Sequence, residues 1–318
     1  MSVRPHLCGL LYCGLPDERH ANLGAAGEAA LRVYLRNAVT LARSAWAAGH
    51  ALTLVTNDAE RLRAIQRSEG LADIPLELQE AAFTCELPDD VPFRSAHFKI
   101  DVLSEMGEAR FGSHSVLLDL DMVVLRTFEM PADGLCVQEF SANIVADVGA
   151  DRLLADLALL GAKDLEAPRW YGGGFIGGEA SALAQLASRM KAILPRYLSH
   201  RETFYHQGDD MLTSAAVCAL EADGALVHDA TGLDLTGIYW SSRTRSSLAP
   251  LTDLERRATL HLPADKPWLA KRATNPFVAH QFLEDYRKHA QGERRRAMAK
   301  NLVDAMRGQP RQHTPRVA

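Results

Sequence analysis

The sequence contains no apolar run that approaches the roughly 20 residues of a membrane-spanning helix. Its five cysteines are scattered and lack the paired spacing of a zinc site or a disulfide framework. No internal repeat is present, and no glycine-rich loop is followed by the Lys and Ser or Thr of a phosphate-binding P-loop. These absences exclude a helical membrane span, a repeat architecture and a P-loop nucleotidase, and they favour buried thiols in a reducing cytoplasm.

The composition is that of a globular protein with an uneven charge distribution. Of the 318 residues, 47% are hydrophobic and 24% are charged, which allows one large core or two packed subdomains. From Leu269 to Ala318 there are eleven Lys and Arg against four Asp and Glu, although the whole chain has a net charge of −5. An acidic body with a basic tail indicates that the tail, not the body, would meet a polyanion.

Strands and helices alternate along the first part of the chain. The predicted elements are, in order, the strand HLCGLLYCG, a helix from Ala30 to near Gly49, the strand ALTLVTND, the helix AERLRAIQRSEG capped by Asn57-Asp58, the strand LELQE and a helix from Arg94 to Gly107. The apolar stretch HLCGLLYCG near the start of the chain is predicted to be a first core strand and not a signal peptide, because it is short and no small-residue cleavage site follows it. This order predicts a doubly wound, mostly parallel α/β sheet covered on both faces, with ligands at the carboxyl ends of its strands.

The next stretch, VLLDLDMVVL, reads as a buried strand but contains two aspartates, Asp119 and Asp121. A buried carboxylate without a partner is costly. In a strand, residues i and i+2 point to the same side, so both carboxylates would face one point where the strand enters the crevice. Carboxylate oxygens suit Mg²⁺ or Mn²⁺, so the pair is a candidate metal site. The alternative is a strand end with two solvated aspartates.

This D-x-D motif resembles that of two enzyme families. In the haloacid dehalogenase-like phosphatases, D-x-D closes the first strand and supplies a nucleophile and an acid/base. Gly208-Asp209-Asp210 resembles the later acidic motif of these phosphatases. In nucleotide-sugar glycosyltransferases of the GT-A type, D-x-D follows an α/β segment that binds the nucleotide. Because Asp119 comes after three predicted strands, its position favours the glycosyltransferase.

A second motif decides between the two families. ATLHLPADKPW, which ends at Trp268, resembles the H-F-x-G-x-K-P-W signature of glycosyltransferase family 8, although Ala264 replaces the usual glycine. The resemblance implies that His261 is the third protein ligand of the metal, that Lys266 reaches the donor diphosphate and that Trp268 packs beside it. An imidazole would complete an Asp/Asp/His site, and an ammonium would neutralise charge on the leaving diphosphate.

The glycine-rich stretch RWYGGGFIGGEASAL resembles the family's F-N-[AS]-G-V strand, which lies beside the transferred sugar. Gly172 stands where the family has asparagine. Gly173 and Gly174 permit a close approach of the backbone to a ligand and are predicted to bind the donor. The alternative is a β-bulge or a tight turn.

The stretch FYHQGDDMLTSAAV resembles the family's D-Q-D-x-L-N helix start, which places Asp209 on its glutamine and Asp210 on its last aspartate. Asp209 would then be a carboxylate at a helix N-terminus, where the dipole favours negative charge, and it is assigned the catalytic role. Asp210 is assigned the helix cap. Lys99, in HFKID one helix before D-x-D, is a candidate to hold the diphosphate, with a solvated helix lysine as the alternative.

The segment after residue 270 is predicted to be a basic helix that begins at Asn275-Pro276 and is followed by a disordered end. It has two apolar stripes, Val278, Phe282 and Tyr286, and Met298, Leu302 and Met306. The helix would either contact an anionic membrane, as in family members that build lipid-linked glycans, or dock on the catalytic domain. Few aromatics interleave the basic residues, which argues against nucleic-acid binding.

The motifs together predict a GT-A-like domain over residues 1–270 and a basic helix with its end over 271–318. The resemblance implies a retaining glycosyltransferase with Mn²⁺ or Mg²⁺ bound by Asp119, Asp121 and His261. Its donor would be a nucleotide-diphosphate sugar, UDP-linked, and its acceptor a glycan or lipid-linked glycan, in the cytoplasm or at the inner membrane face. The alternatives are a phosphatase with a phosphoaspartate at Asp119 and a non-catalytic nucleotide-sugar-binding protein.

Overall fold

A computed structural model describes residues 1–14, 23–74, 76–162, 165–241 and 250–306. Its strands are β1 Ser2–Val3, β2 His6–Leu10, β3 Leu52–Thr56, β4 Glu77–Glu80, β5 His114–Leu118, β6 Met122–Val124, β7 Met130–Pro131, β8 Leu135–Glu139, β9 Tyr171–Glu179, β10 Val227–Asp229, β11 Thr236–Ile238 and β12 Thr259–His261. Its α-helices are α1 Gly27–Ala47, α2 Ala59–Ser68, α3 Arg94–His97, α4 Lys99–Gly107, α5 Ser141–Val148, α6 Ala150–Leu159, α7 Ala180–His200, α8 Asp209–Ala222, α9 Leu251–Leu254, α10 Lys266–Ala270 and α11 Ala279–Met306.

The main sheet has the strand order β10-β8-β9-β5-β2-β3-β4. Strand β2 is parallel to both of its neighbours, β3 is parallel to β4, and β10 is parallel to β8. Strand β9 lies between β5 and β8 and is antiparallel to both of them. The predicted mostly parallel α/β sheet is therefore confirmed, with β9 as its antiparallel member.

Helices cover both faces of this sheet. Neighbouring residues of a strand point to opposite faces, so each strand supplies side chains to the helices on both sides. Leu7 and Leu118 pack with α1 and α2 on one face, whereas Cys8 and Leu117 pack with α4, α7 and α8 on the other. The predicted apolar face of α1 is buried as expected at Leu31, Leu35, Ala38, Ala42 and Ala45. The fold is doubly wound, as predicted.

Local signals placed several helix ends correctly. The Arg61 backbone N–H donates to Asp58 Oδ1 at 2.9 Å, so Asp58 caps α2. Helix α4 ends at Gly107, as predicted. The predicted helix from Arg94 is divided at Phe98 into α3 and α4, and α3 is preceded by Phe93 with a left-handed φ of 56°.

A smaller sheet, with the order β11-β12-β6, lies at the end of β5. Strands β12 and β6 are antiparallel, and His261 pairs with Met122. Because Met122 follows Asp121 directly, this pairing brings the second motif to the D-x-D aspartates.

The C-terminal helix α11 begins at Ala279, four residues after the predicted start. Phe282 and Tyr286 are buried against a core that includes Val123, Leu260 and Leu269. The second stripe is different, because Met298 and Leu302 are 57% and 58% exposed. The Met306 side chain and the predicted disordered end from Gly308 lie outside the described residues. Within the described part of the chain, no helix combines the length and apolar character of a membrane span.

Candidate active site

The D-x-D aspartates lie in a turn between two strands. Strand β5 ends at Leu118, and β6 begins at Met122. The Asp119 N–H donates to the Gly174 carbonyl at 3.1 Å, and the Met122 N–H donates to the Asp119 carbonyl at 3.2 Å. The prediction of one continuous strand through both aspartates is therefore wrong. Their position at the carboxyl end of a central parallel strand agrees with the prediction.

Asp119, Asp121 and His261 converge at this turn. His261 Nε2 lies 3.2 Å from Asp121 Oδ1 and 3.7 Å from Asp119 Oδ2. One candidate ligand atom from each residue lies within 4.8 Å of the others. Two carboxylates and an imidazole are a donor set that suits Mn²⁺ or Mg²⁺. The three residues could therefore hold a divalent metal ion.

Two buried lysines contact the carboxylate oxygens of Asp119 and Asp121 that do not face His261. Lys266 Nζ lies 2.6 Å from Asp121 Oδ2 and donates to the Pro263 carbonyl at 3.1 Å. Lys99 Nζ lies 2.7 Å from Asp119 Oδ1. Each aspartate thus has one oxygen on a lysine and the other towards His261, which fixes the orientation of both carboxylates.

The lysines and burial set the charge states of the site. Burial alone would raise the pKa of Asp121, but the Lys266 ammonium and the His261 ring outweigh it and lower that pKa. Burial also opposes the charged forms of Lys266 and His261, yet Asp121 raises the pKa of both. For Asp119, burial outweighs its cationic neighbours and raises the pKa.

Asp209 is tied to the same cluster through Lys99. It is the first residue of α8, and its Oδ2 lies 2.6 Å from Lys99 Nζ, which also donates to the Gly173 carbonyl at 3.0 Å. Burial opposes ionisation, but Lys99 outweighs it and lowers the pKa of Asp209. Lys99 therefore bridges Asp119 and Asp209, a contact that the sequence did not predict.

Asp210 does not cap α8 as predicted. Gly208 is the N-cap residue, and Asp210 Oδ1 instead accepts from the Gly173 N–H at 2.6 Å. Burial and the neighbouring Asp209 raise the pKa of Asp210. The two adjacent carboxyls therefore differ in character, with Asp209 held ionised and Asp210 shifted towards its neutral form.

The glycines of β9 make room for these side chains. A Cβ atom on Gly173 would overlap the Asp209 carboxylate and lie 2.8 Å from Lys99 Nζ. A Cβ atom on Gly174 would lie 2.8 Å from His261 Nδ1. The pairing of β8 with β9 jumps between Val137 and Gln138, so a bulge is also present here. The bulge of the alternative interpretation is therefore present, the close neighbours of the two glycines are side chains of the site, and donor binding by Gly173 and Gly174 stays a prediction.

The cluster lies in a cleft whose wall includes several aromatic residues that the sequence motifs did not identify. The aromatic residues on its wall include Tyr12, Phe93, Phe140, Trp170, Tyr205 and Trp240. They come from loops and strand ends scattered along the chain, and no spacing in the sequence groups them. Their arrangement is visible only in the folded chain.

Trp268 is the predicted site residue that the structure does not bring to the cleft. Among the described residues, its ring stacks on His289 at 5.0 Å and contacts Phe282 and Tyr286 edge-on. The Arg272 guanidinium lies 4.4 Å from the Trp268 ring centre. Trp268 thus joins α10 to α11, and its predicted contact with the diphosphate has no support in this position.

No protein-family model and no curated protein matches the sequence. Solved structures do match. The galactosyltransferase LgtC, in complex with donor and acceptor sugar analogs, is 9% identical, with 87% of this chain and 99% of LgtC covered and a TM-score of 0.48. An active-site mutant of LgtC with glutamate in place of glutamine is 11% identical, with 85% and 96% covered and a TM-score of 0.50. Mouse xyloside xylosyltransferase 1, in its apo form, is 14% identical, with 81% and 97% covered and a TM-score of 0.43.

At these identities the likeness concerns the fold. The TM-score of 0.50 shows that the chain has the GT-A glycosyltransferase fold that was predicted from its sequence. The match extends over nearly the whole length of each similar protein.

Proposed function

We propose that the protein is a metal-dependent glycosyltransferase that moves a sugar from a nucleotide-diphosphate donor, UDP-linked, to a glycan or lipid-linked acceptor. The observation that carries the proposal is the convergence of Asp119, Asp121 and His261 with two buried lysines at the carboxyl end of β5. In open α/β sheets, this edge is where ligands bind.

Asp119, Asp121 and His261 would hold Mn²⁺ or Mg²⁺, which when bound acts as a Lewis acid on the donor diphosphate. Lys266 would lie beside the leaving group, where its ammonium offsets the negative charge that develops on the diphosphate. Its contact with Asp121 keeps it charged and directed into the cleft. Lys99 has the corresponding contact with Asp119, and its role at the diphosphate stays a prediction.

Asp209 would act on the sugar itself. It is kept ionised by Lys99, and it starts a helix whose N-terminal dipole favours a carboxylate. An ionised carboxylate in this place could attack the anomeric carbon or stabilise an oxocarbenium-like transition state. Either role is compatible with retention of configuration when the acceptor enters on the side of the leaving group.

The remaining alternatives differ in what they predict. The phosphatase alternative requires a phosphoaspartate at Asp119 and no role for His261, and no observation favours it. A non-catalytic protein would bind nucleotide with metal but release nothing. We place the enzyme in the cytoplasm, with the basic, exposed second half of α11 as the part that would contact an anionic membrane.

The test is release of free nucleotide from a panel of UDP-, GDP- and CMP-sugars, with Mn²⁺ or with EDTA. The proposal expects metal-dependent release from one donor, which Asp209→Asn lowers by about 100-fold. The matched control is Asp151→Asn, an exposed aspartate on α6, which should behave as wild type. Metal-dependent binding without release, with acceptors present, would favour the non-catalytic protein, and no binding of any nucleotide would overturn the proposal.

A further inference from the structure

We infer that α11 positions the active site through one buried carboxylate, Asp265. Tyr286 and His289 on α11 and Ser241 beyond β11 bind this carboxylate, and these four residues are here called the Asp265 network. The inference rests on the proposed function, because it concerns how Lys266 and the cleft wall meet the donor.

The Asp265 carboxylate is 3% exposed, and donors from two distant segments satisfy it. Its Oδ1 accepts from Ser241 Oγ at 2.7 Å and from His289 Nε2 at 2.8 Å. Its Oδ2 accepts from the Tyr286 hydroxyl at 2.7 Å. A buried carboxylate needs such donors, so loss of one of them leaves an oxygen without its partner.

Asp265 is also the N-cap residue of α10, but its side chain makes no capping hydrogen bond. An aspartate in this position normally accepts from the first amides of the helix. Here only its backbone carbonyl does so, from the Trp268 and Leu269 N–H groups at 2.9 Å. The side chain is committed to α11 and to Ser241 instead of to its own helix.

The network borders the site on two sides. Lys266 follows Asp265 directly, and its ammonium lies 2.6 Å from Asp121 Oδ2. Ser241 follows Trp240, which lines the cleft. A shift of α11 would therefore reach both the lysine beside the candidate metal site and an aromatic wall of the cleft.

A further contact fixes the same segment. The Tyr239 N–H donates to the His261 carbonyl at 2.9 Å, and the Tyr239 ring meets the Tyr286 ring edge-on at 6.0 Å. The segment 239–241 thus lies between β12, which carries His261, and α11. Tyr286, His289 and Asp265 are positioning residues in this scheme and do not contact the donor.

The test compares variants of α11 by the donor KM and kcat of nucleotide release with Mn²⁺. Tyr286→Phe removes only a hydroxyl, and His289→Ala removes a ring, whereas His289→Gln keeps a side-chain N–H as the conservative rescue. The matched control is Arg287→Gln, which breaks the 2.6 Å ion pair of α11 with Glu255 and leaves the Asp265 network intact.

We expect Tyr286→Phe and His289→Ala to raise the donor KM about tenfold while kcat stays within about threefold. His289→Gln and Arg287→Gln should stay within about twofold of wild type in both constants. Equal KM values for Tyr286→Phe and Arg287→Gln would overturn the inference, because α11 would then contribute docking alone.

A second measurement separates this inference from the proposed function. If the wild-type protein binds and turns over no nucleotide sugar, the proposed function fails, and amide hydrogen exchange over residues 262–268 decides the inference. Faster exchange in Tyr286→Phe than in Arg287→Gln would support positioning by the network. Identical exchange in the two variants would overturn it.

Discussion

Replacement of Gly174 by alanine should weaken metal binding, because β9 passes directly beside His261. The new Cβ atom would lie 2.8 Å from His261 Nδ1, 2.9 Å from its Cε1 and 3.3 Å from Asp119 Oδ2, whereas ordinary contact begins at 3.4 Å. The imidazole must therefore move by about 0.6 Å, the difference between the 2.8 Å separation and the 3.4 Å of ordinary contact. Asp119 needs to move far less.

This displacement is large for a metal ligand. Ligand distances in metal sites are defined to about 0.2 Å. An imidazole displaced by three times that amount would no longer lie at bonding distance from the metal unless the backbone moved as well. Disturbance of residues that orient ligands typically costs about 10- to 100-fold in metal affinity. We expect a loss of this size for Mn²⁺, together with an overpacking cost of about 1–3 kcal/mol in unfolding free energy.

The neighbouring glycine provides a contrast. Gly173→Ala would strike Asp209 and Lys99 and not His261. It should lower kcat about 100-fold, the effect of misplacing a reacting group by about 1 Å. Its Cβ reaches the metal ligand Asp119 only through Lys99, so we expect a smaller loss of Mn²⁺ affinity than for Gly174→Ala. Gly24→Ala is the control for both, since no atom lies within 4 Å of its added Cβ.

The assay is calorimetric titration of Mn²⁺ in the presence of nucleoside diphosphate, with thermal unfolding recorded for each variant. Wild-type Mn²⁺ affinity in a folded Gly174→Ala protein would refute the placement of His261 as a ligand. If that variant unfolds, His261→Gln tests the same ligand without added volume at β9.

Three further predictions concern stability. Lys266→Met leaves the buried Asp121 carboxylate without its lysine partner and should cost about 3 kcal/mol of unfolding free energy in the absence of metal. In denaturant titrations Mn²⁺ should restore part of this loss, and an equal loss with and without Mn²⁺ would contradict the prediction. Phe282→Ala should cost about 3–5 kcal/mol of unfolding free energy because its ring packs α11 against the buried core. Met298→Ala, at a side chain of α11 that is 57% exposed, should change the unfolding free energy by less than about 0.5 kcal/mol. Burial, aided by a nearby arginine, lowers the pKa of His50 from 6.5, and the Nε2 atom of the neutral ring accepts a backbone N–H. The stability that His50 contributes to the folded state is therefore complete above about pH 6.5 and is lost as the pH falls towards the pKa of His50 in the folded state. His50→Phe should flatten the fall in unfolding free energy between about pH 7 and pH 5, and an unchanged slope would exclude His50 as its source.

The parts of the fold that the sequence predicted correctly depend on residues close together in the chain. The burial pattern of α1, the Asp58 cap and the strand β2 follow from local periodicity and turn chemistry. The motifs that contain Asp119 and His261 were sufficient to predict the GT-A fold. Their convergence was implied by the resemblance to the family, and in the structure it results from the antiparallel pairing of His261 with Met122.

The contacts that the sequence did not predict join residues far apart in the chain. The direction of β9 between β5 and β8 is set by pairing across the whole sheet, and no local pattern in its glycines specifies it. The strand predicted through Asp119 and Asp121 ends early, because Met122 pairs with His261 in the smaller sheet. The two aspartates converge all the same, since both lie in the turn between the sheets.

Two site residues show the limit most clearly. Lys99 could be identified as a cation before D-x-D, but its bond to Asp209 joins residues 110 positions apart. Trp268 follows directly from a motif, yet its ring faces α11, because burial beside Phe282 and Tyr286 is available only once that helix docks. A motif names the residue type, whereas the tertiary contacts decide where its side chain goes.

The most direct test of the proposed function is the Mn²⁺ dependence of nucleotide release from the preferred donor, measured for the wild type and for His261→Ala. We predict saturable activation of the wild type by Mn²⁺, no release in EDTA and loss of metal-dependent turnover in His261→Ala, with folding unchanged. Full turnover in EDTA, or wild-type Mn²⁺ activation in His261→Ala, would contradict the metal site of Asp119, Asp121 and His261.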